Sequence, residues 1–284
     1  FNLNNNNDVL VNAQLTLGNV ELDGSGFETT GGTKAAQGGT LVNVGTKSTL
    51  TLVITGADPK VPTLKNNYRS NSGGAIASVG TVTINNAKIA NNSGTDGGAI
   101  YTTGGTLNIA NGSFTGNSAT GNGGALNTAN TVVNITGGSF TGNSANGAGG
   151  AILANTGQSV TISGATIGGT GAGEGNTAAT GGAIASYGTV TLNDGTTITG
   201  NSATDSSGGG GAIAMFNGAF NVNAGATISN NSTAGNGGAV AMYYGTLNLT
   251  GGTITNNTAT GVAGGINYTN GTLNVSGAPT VTGN

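Results

Sequence analysis

Few side chains in this sequence can do chemistry. Beyond Ile89 the only carboxylates are Asp96, Glu174, Asp194 and Asp205, and no Lys or Arg follows Lys88. Neither His nor Cys occurs anywhere, so a Ser-His-Asp triad, a Cys nucleophile and a zinc hydrolase centre are all excluded. Carboxylate pairs remain. Glycoside hydrolysis needs two carboxyls about 5–10 Å apart. Asp96 and Asp205 both precede a Gly-Gly-Ala segment, but four repeats lie between them; with one strand spacing per repeat that is ~20 Å. Glu174 and Asp205 sit in lengthened segments before adjacent Gly-Gly-Ala corners and form the nearest candidate pair. Long loops on a regular scaffold often carry function. Solvated acids in variable turns are the simpler reading, and the nearest cation, Lys88, is several repeats away. The sequence predicts no enzyme, no metal and no cofactor. Gly168–Glu174 lacks the Asp of a Ca²⁺-binding nonapeptide and occurs once, so it reads as a turn. Lys47-Ser48 lacks the upstream Gly spacing of a phosphate loop.

Aromatic residues are the other chemical resource. Tyr101, Tyr187 and Tyr243-Tyr244 fall at related positions after Gly-Gly-Ala, with Met215-Phe216 in the same frame. These tyrosines are the candidate ligand contacts, an exposed strip on which sugars could stack. The competing reading is cross-strand packing on one face. Sequons such as Asn134-Ile135-Thr136 and Asn248-Leu249-Thr250 are expected by chance in a chain so rich in Asn and Thr.

The elements that would carry these residues come from internal repetition, the first signal to seek in such a chain. Gly-Gly-Ala plus an aliphatic residue begins at Gly73 (Gly73-Gly74-Ala75-Ile76) and recurs at Gly97, Gly123, Gly149, Gly181, Gly210 and Gly237, with Ala263-Gly264-Gly265-Ile266 as an altered eighth copy. The Ala positions are 24, 26, 26, 32, 29 and 27 residues apart. A second motif alternates with it: Ile89-x-x-Asn92, Phe114-x-x-Asn117, Phe140-x-x-Asn143, Ile198-x-x-Asn201, Ile228-x-x-Asn231 and Ile254-x-x-Asn257. Tyr68-x-x-Asn71 opens this series, Val281-x-x-Asn284 closes it, and the copy at Ile167 is interrupted by 168–175 before Asn176. Between the motifs lie alternating pairs such as Val82/Ile84, Leu107/Ile109 and Val133/Ile135, the period-two pattern of a half-buried strand.

Three short strands per repeat, joined by Gly, Asn and Ser, describe one coil of a solenoid. A coil cannot bury its few aliphatic side chains alone, so coils must stack. The predicted fold is all-β: a right-handed, single-stranded parallel β-helix with three faces and about eleven coils, a rod ~50 Å long. Residues 1–66 are expected to form two or three irregular coils, with Gly56–Pro62 as a loop, and residues 67–284 the regular array. The Gly pair is expected to supply positive φ at a tight corner. The Asn series is expected to take the left-handed bend and to bond coil to coil.

Composition narrows the function classes. With 58 Gly and 5% charged residues the chain could be taken for low complexity, but 35% hydrophobic content at fixed intervals argues for folding. The six basic residues, Lys34, Lys47, Lys60, Lys65, Arg69 and Lys88, all lie early, which speaks against nucleic acid and anionic lipid as partners. No apolar run approaches the ~20 residues that span a bilayer. Phe1 in place of Met suggests processing or a fragment, and the end at Asn284, inside a repeat, suggests continuation.

The paired motifs, Gly73–Ile76 with Phe114–Asn117 and their counterparts through Asn284, resemble the repeats of chlamydial polymorphic outer-membrane proteins, which are autotransporter adhesins. The resemblance covers Tyr68 to Asn284. It implies a bacterial β-helix, secreted to the cell surface or beyond, in which the two motifs serve adhesion to a host surface or glycan. Two further expectations follow from the residues alone. Strand edges at both ends, with net charge −3, invite end-to-end self-association into a filament. A carbohydrate-active β-helix would use Glu174 and Asp205.

Overall fold

The computed structural model describes residues 63–68 and 72–284, together with strand backbones at 9–11, 15–18, 21–23, 42–44 and 51–55. Asn71 and the expected loop Gly56–Pro62 lie outside the described residues. Every regular element among the described residues is a β-strand. The strands form a parallel β-solenoid in which equivalent strands of successive coils pair in register. Three sheets have ten strands each and a fourth has seven.

The first sheet starts after each Gly-Gly-Ala corner, from Ile76–Ser78 to Ile266–Tyr268. Ile76, Ile100, Leu126, Ile152, Ile184, Ile213 and Val240 pair along it, are fully buried, and form an inward column whose last member, Ile266, is only partly buried. The second sheet, Thr81–Asn85 to Thr272–Val275, buries the alternating pairs from Val82/Ile84 to Leu247/Leu249, whereas Leu273 and Val275 of the last coil are exposed. The third, Lys88–Ala90 to Thr280–Thr282, buries Ile89, Phe114, Phe140, Ile167, Ile198, Ile228 and Ile254. Phe114 and Phe140 stack with ring centroids 4.6 Å apart and planes 1° from parallel. Each such side chain contributes about 1.5–3 kcal/mol by burial, which only stacking can deliver.

Two features of the coil differ from expectation. Among the described residues the sheets contain ten layers, not eleven: two from strands up to Lys65 and eight regular turns from Ile76 onward. The N-terminal strands are farther apart in sequence than the repeats, so fewer coils fit there. The fourth sheet was not expected. Its strands, Ser93–Gly94 to Thr258–Ala259, are two residues long and bury only a small side chain, so they leave no period-two signal. Ala119, Ala145 and Ala178 of this sheet form a small cluster separate from the main core.

The corner residues divide their labour differently from the prediction. Gly73 has φ +79°, and the first glycine of each of the seven full corners is also positive. The second glycine is not. A Cβ on Gly74 would instead overlap the Gly98 carbonyl oxygen of the next coil, a contact repeated from Gly98 to Gly124 and on to Gly150. Ala75 behind it is fully buried.

The Asn series likewise does not take the left-handed bend. That bend falls on the preceding residue: Asn66, Asn91, Gly116, Gly142, Gly200, Asn230, Asn256 and Gly283 have φ between 56° and 68°. The Asn side chains turn inward as a continuous amide ladder. Asn117 Nδ2 donates to Asn143 Oδ1 at 3.0 Å, Asn143 Nδ2 to Asn176 Oδ1 at 2.9 Å, and Asn201 Nδ2 to Asn231 Oδ1 at 2.9 Å. The ladder runs from Asn67 to Asn284 through Asn92 and Asn257, so Leu64-x-x-Asn67, not Tyr68-x-x-Asn71, is its first copy: Leu64 pairs with Ile89, and Tyr68 with Ser93. Asn176 occupies its rung despite the insertion at 168–175, and Ile167 pairs between Phe140 and Ile198. The apparent break in the repeat is therefore confined to a loop.

Candidate functional site

The most distinctive surface lies just past the first sheet. The residue after each strand donates its N–H to the strand-end carbonyl of the preceding coil, Tyr187 to Ala154 at 2.9 Å, Phe216 to Ser186 at 2.8 Å and Tyr243 to Met215 at 2.9 Å. This fixes equivalent side chains one strand spacing apart. In three consecutive coils they are aromatic. Tyr187 and Phe216 stack at 4.6 Å and 18°, and Phe216 and Tyr243 at 5.4 Å and 6°. Each such pair adds about 0.5–1.5 kcal/mol beyond its buried area. The adjoining Met215 and Met242 turn into the core and are buried.

This geometry limits what the strip can do. Phe216 has both faces covered by its neighbours, so the strip offers ring edges and phenol hydroxyls. Tyr187 is 40% exposed and the adjacent Tyr244 60% exposed. Tyr101 does not belong to the strip. It sits at mid-strand between Ala77 and Asn127, two residues earlier in the frame and three coils from Tyr187. Phe216, which the sequence places in the same frame but not among the candidate contacts, is the central ring, three residues after Ile213 as Tyr187 and Tyr243 are after Ile184 and Val240.

Asp205 borders this strip. It lies in the exposed loop before the Gly210 corner, where its Oδ1 accepts the Ser207 N–H at 2.9 Å and the Ser207 hydroxyl at 2.8 Å. The Ser207 backbone bond, then the hydroxyl, hold its carboxyl below the ordinary value. Its charge is felt by Tyr243, whose phenol is pushed up mainly by burial and secondarily by Asp205. Tyr243 should therefore titrate above the usual tyrosine range. The absorbance titration lost in Tyr243→Phe isolates it, and Asp205→Asn should lower it only part of the way, because burial is the larger cause. A raised phenol stabilises the fold below the ordinary tyrosine value, and that contribution disappears as pH rises through the folded value.

Glu174 is placed elsewhere. Its Oε2 accepts the Gly171 N–H at 2.9 Å, closing its own exposed loop. That loop leads into Thr177–Ala178, whereas Asp205 follows Ser202–Ala203, the parallel neighbour of that strand. The two carboxylates thus leave opposite ends of the fourth sheet, each engaged with donors of its own loop. The expectation that both precede the same kind of corner is corrected by this placement, because Glu174 belongs to the turn ahead of the fourth strand. A depression beside the Glu174 loop is lined by glycine backbone with Thr170, Thr177 and Asn230. Asp96 accepts the Asn122 N–H at 2.9 Å and the Asn122 Nδ2 at 3.2 Å, joining coils at the corner.

The structural repeat residues Gly73, Gly74, Ala75, Ile76, Phe114, Asn117, Phe140, Asn143, Asn201, Asn231 and Asn257 lie in the corners, core and ladder, all buried. They hold the strip in place and offer nothing to an external ligand. No family model, curated protein or solved structure matches the chain.

Proposed function

We propose that this chain is a non-enzymatic extracellular or cell-surface scaffold, a right-handed β-helix that presents an adhesive edge to glycans on a host or neighbouring surface. The handedness follows the strong preference of parallel crossovers. The observation that carries the reading is the aromatic edge of Tyr187, Phe216 and Tyr243, with exposed Tyr244 beside it, on a surface rich in Thr, Ser and Asn. Aromatic rings with a polar tip are enriched where proteins contact partners because they bring large area at low entropic cost. Asp205 and Ser207 add a carboxylate and a hydroxyl able to bond sugar hydroxyls. With no cation after Lys88, neutral or amine-bearing glycans suit this edge better than acidic ones.

Glycan-array binding tests the reading. Tyr187→Ala and Tyr244→Ala should each weaken binding by about tenfold, the size of an interface anchor, while Tyr101→Ala should leave it unchanged. Binding that is indifferent to Tyr187, Phe216, Tyr243 and Tyr244 would remove the edge as the contact surface.

A further inference from the structure

Six Asn-Gly pairs occur in the sequence: at Asn111, Asn122, Asn146, Asn217, Asn236 and Asn270. In three of them the glycine N–H is held by a neighbouring coil. Gly123 donates to Ala148 at 2.9 Å, Gly147 to Gly121 at 2.7 Å and Gly237 to Val262 at 3.0 Å. Asn122 and Asn236 also direct Oδ1 at the next coil, toward the N–H of Ala148 and Val262. Asn217 differs on both counts. It is exposed, and the Gly218 N–H points back to the Asn217 Oδ1 at 2.8 Å. Gly218 is fixed there by its carbonyl, which accepts the Thr246 N–H at 2.8 Å, and by φ +85°.

We infer that Asn217-Gly218 is a site of spontaneous backbone-assisted deamidation. The Gly218 N–H donates to Oδ1, which keeps the nitrogen beside the carboxamide; rotation about Cβ–Cγ turns the face of Cγ toward that nitrogen for attack. After loss of its proton to hydroxide, the nitrogen attacks Cγ and a C–N bond forms. The Cγ–Nδ2 bond breaks, ammonia leaves and a succinimide remains. Water then adds to either carbonyl of the ring and opens it to Asp or isoaspartate. The net change is one water consumed and one ammonia released, with no redox step. The product places a carboxylate beside Phe216, in the centre of the aromatic edge, and the isoaspartyl form adds a backbone carbon between Ile213–Met215 and Ala219–Val222. The inference stands on bond geometry and does not depend on glycan binding.

The test is ageing of the folded full chain at neutral to mildly alkaline pH, followed by peptide mapping that distinguishes Asp from isoaspartate. Conversion at Asn217 should outpace that at Asn122, Asn146 and Asn236 by about tenfold or more, since those three react only after local opening. The rate should rise with pH, and Asn217→Gln should abolish the product at that position. In urea the four sites should converge, because the advantage comes from the fold and not the dipeptide. Equal rates in the folded chain, or Asp without isoaspartate at position 217, would overturn the inference.

Discussion

Asn143→Ala should cost this protein about 3–5 kcal/mol, although it removes only a small polar side chain. Asn143 is 1% exposed. Its Oδ1 accepts both the backbone N–H and the Nδ2 of Asn117 at 3.0 Å. Its Nδ2 donates to Asn176 Oδ1 at 2.9 Å and to the Phe114 carbonyl at 3.0 Å. Alanine leaves the Asn117 N–H and the Phe114 carbonyl inside the solenoid without these partners. Each buried group so stranded costs about 1–3 kcal/mol. The loss should also change the form of unfolding. A solenoid is stabilised by contacts between neighbouring coils, so a broken rung in the middle should partly uncouple the coils on either side. Urea unfolding should then broaden or split as well as shift. Asn221→Ala is the matched control. Its Nδ2 donates to Thr191 Oγ1 at 2.9 Å on the partly exposed outer face of the second sheet, where water can replace it. That change should stay within about 0.5–1 kcal/mol. Equal losses for the two variants would show that the ladder is a consequence of stacking and not a cause of it.

The contrast between these two asparagines also shows what the sequence could and could not convey. Period-two alternation reports burial and located the inward pair Val82/Ile84, and the two recurring motifs located Ile76 and Ile89, because apolar side chains have one place to go. Asn143 and Asn221 are the same residue type in similar company, and only spacing from Phe140 sets the first apart. Spacing said that the Asn recurs; it did not say that its backbone is ordinary and that the residue before it bends. Asn91 and Gly116 share that bend, and a position filled by two residue types is hard to recognise as one. The fourth sheet escaped notice for a similar reason, since Ser-Ala carries almost no apolar pattern. The aromatic edge was half legible. Tyr187 and Tyr243 share a frame with Phe216, whereas Tyr101 only shares a neighbourhood, and a coil of variable length makes that distinction uncertain until the strands are paired. Asp205 and Glu174 show the same limit at loops, where insertions erase the register that places everything else.

Gly150→Ala should be strongly destabilising for a single added methyl group, and its effect separates the two glycines of the corner. Gly149 needs its φ of +72°, so alanine there is strained by roughly 1–2 kcal/mol, and its Cβ would press on the Ile152 carbonyl of the same turn. That contact too is with backbone, but it lies within one turn of the chain. At Gly150 the clash is between coils. A Cβ there would overlap the Gly182 carbonyl oxygen and stand 2.7 Å from the Thr177 nitrogen, both backbone atoms of the following coil. Rotamers cannot relieve it, so the coils must separate. Separation strains the bonds from Gly150 N–H to Gly181 at 3.1 Å and from Ala151 N–H to Ala183 at 2.9 Å. Overpacking of a close-packed interior costs about 1–3 kcal/mol and sometimes more, and with the inter-coil bonds included the loss should reach about 4 kcal/mol. Hydrogen exchange should accelerate at Gly150 and Ala151 while coils farther along keep their protection. Gly264→Ala is the comparison if Gly150→Ala proves insoluble: a Cβ there meets the Asn257 oxygen and the Asn284 carbonyl carbon at 2.7 Å, less closely than at Gly150, and should cost less. A Gly150→Ala protein within about 1 kcal/mol of the parent would mean that the coils are not in backbone contact at the corner. The register that aligns Tyr187, Phe216 and Tyr243 would then need another origin.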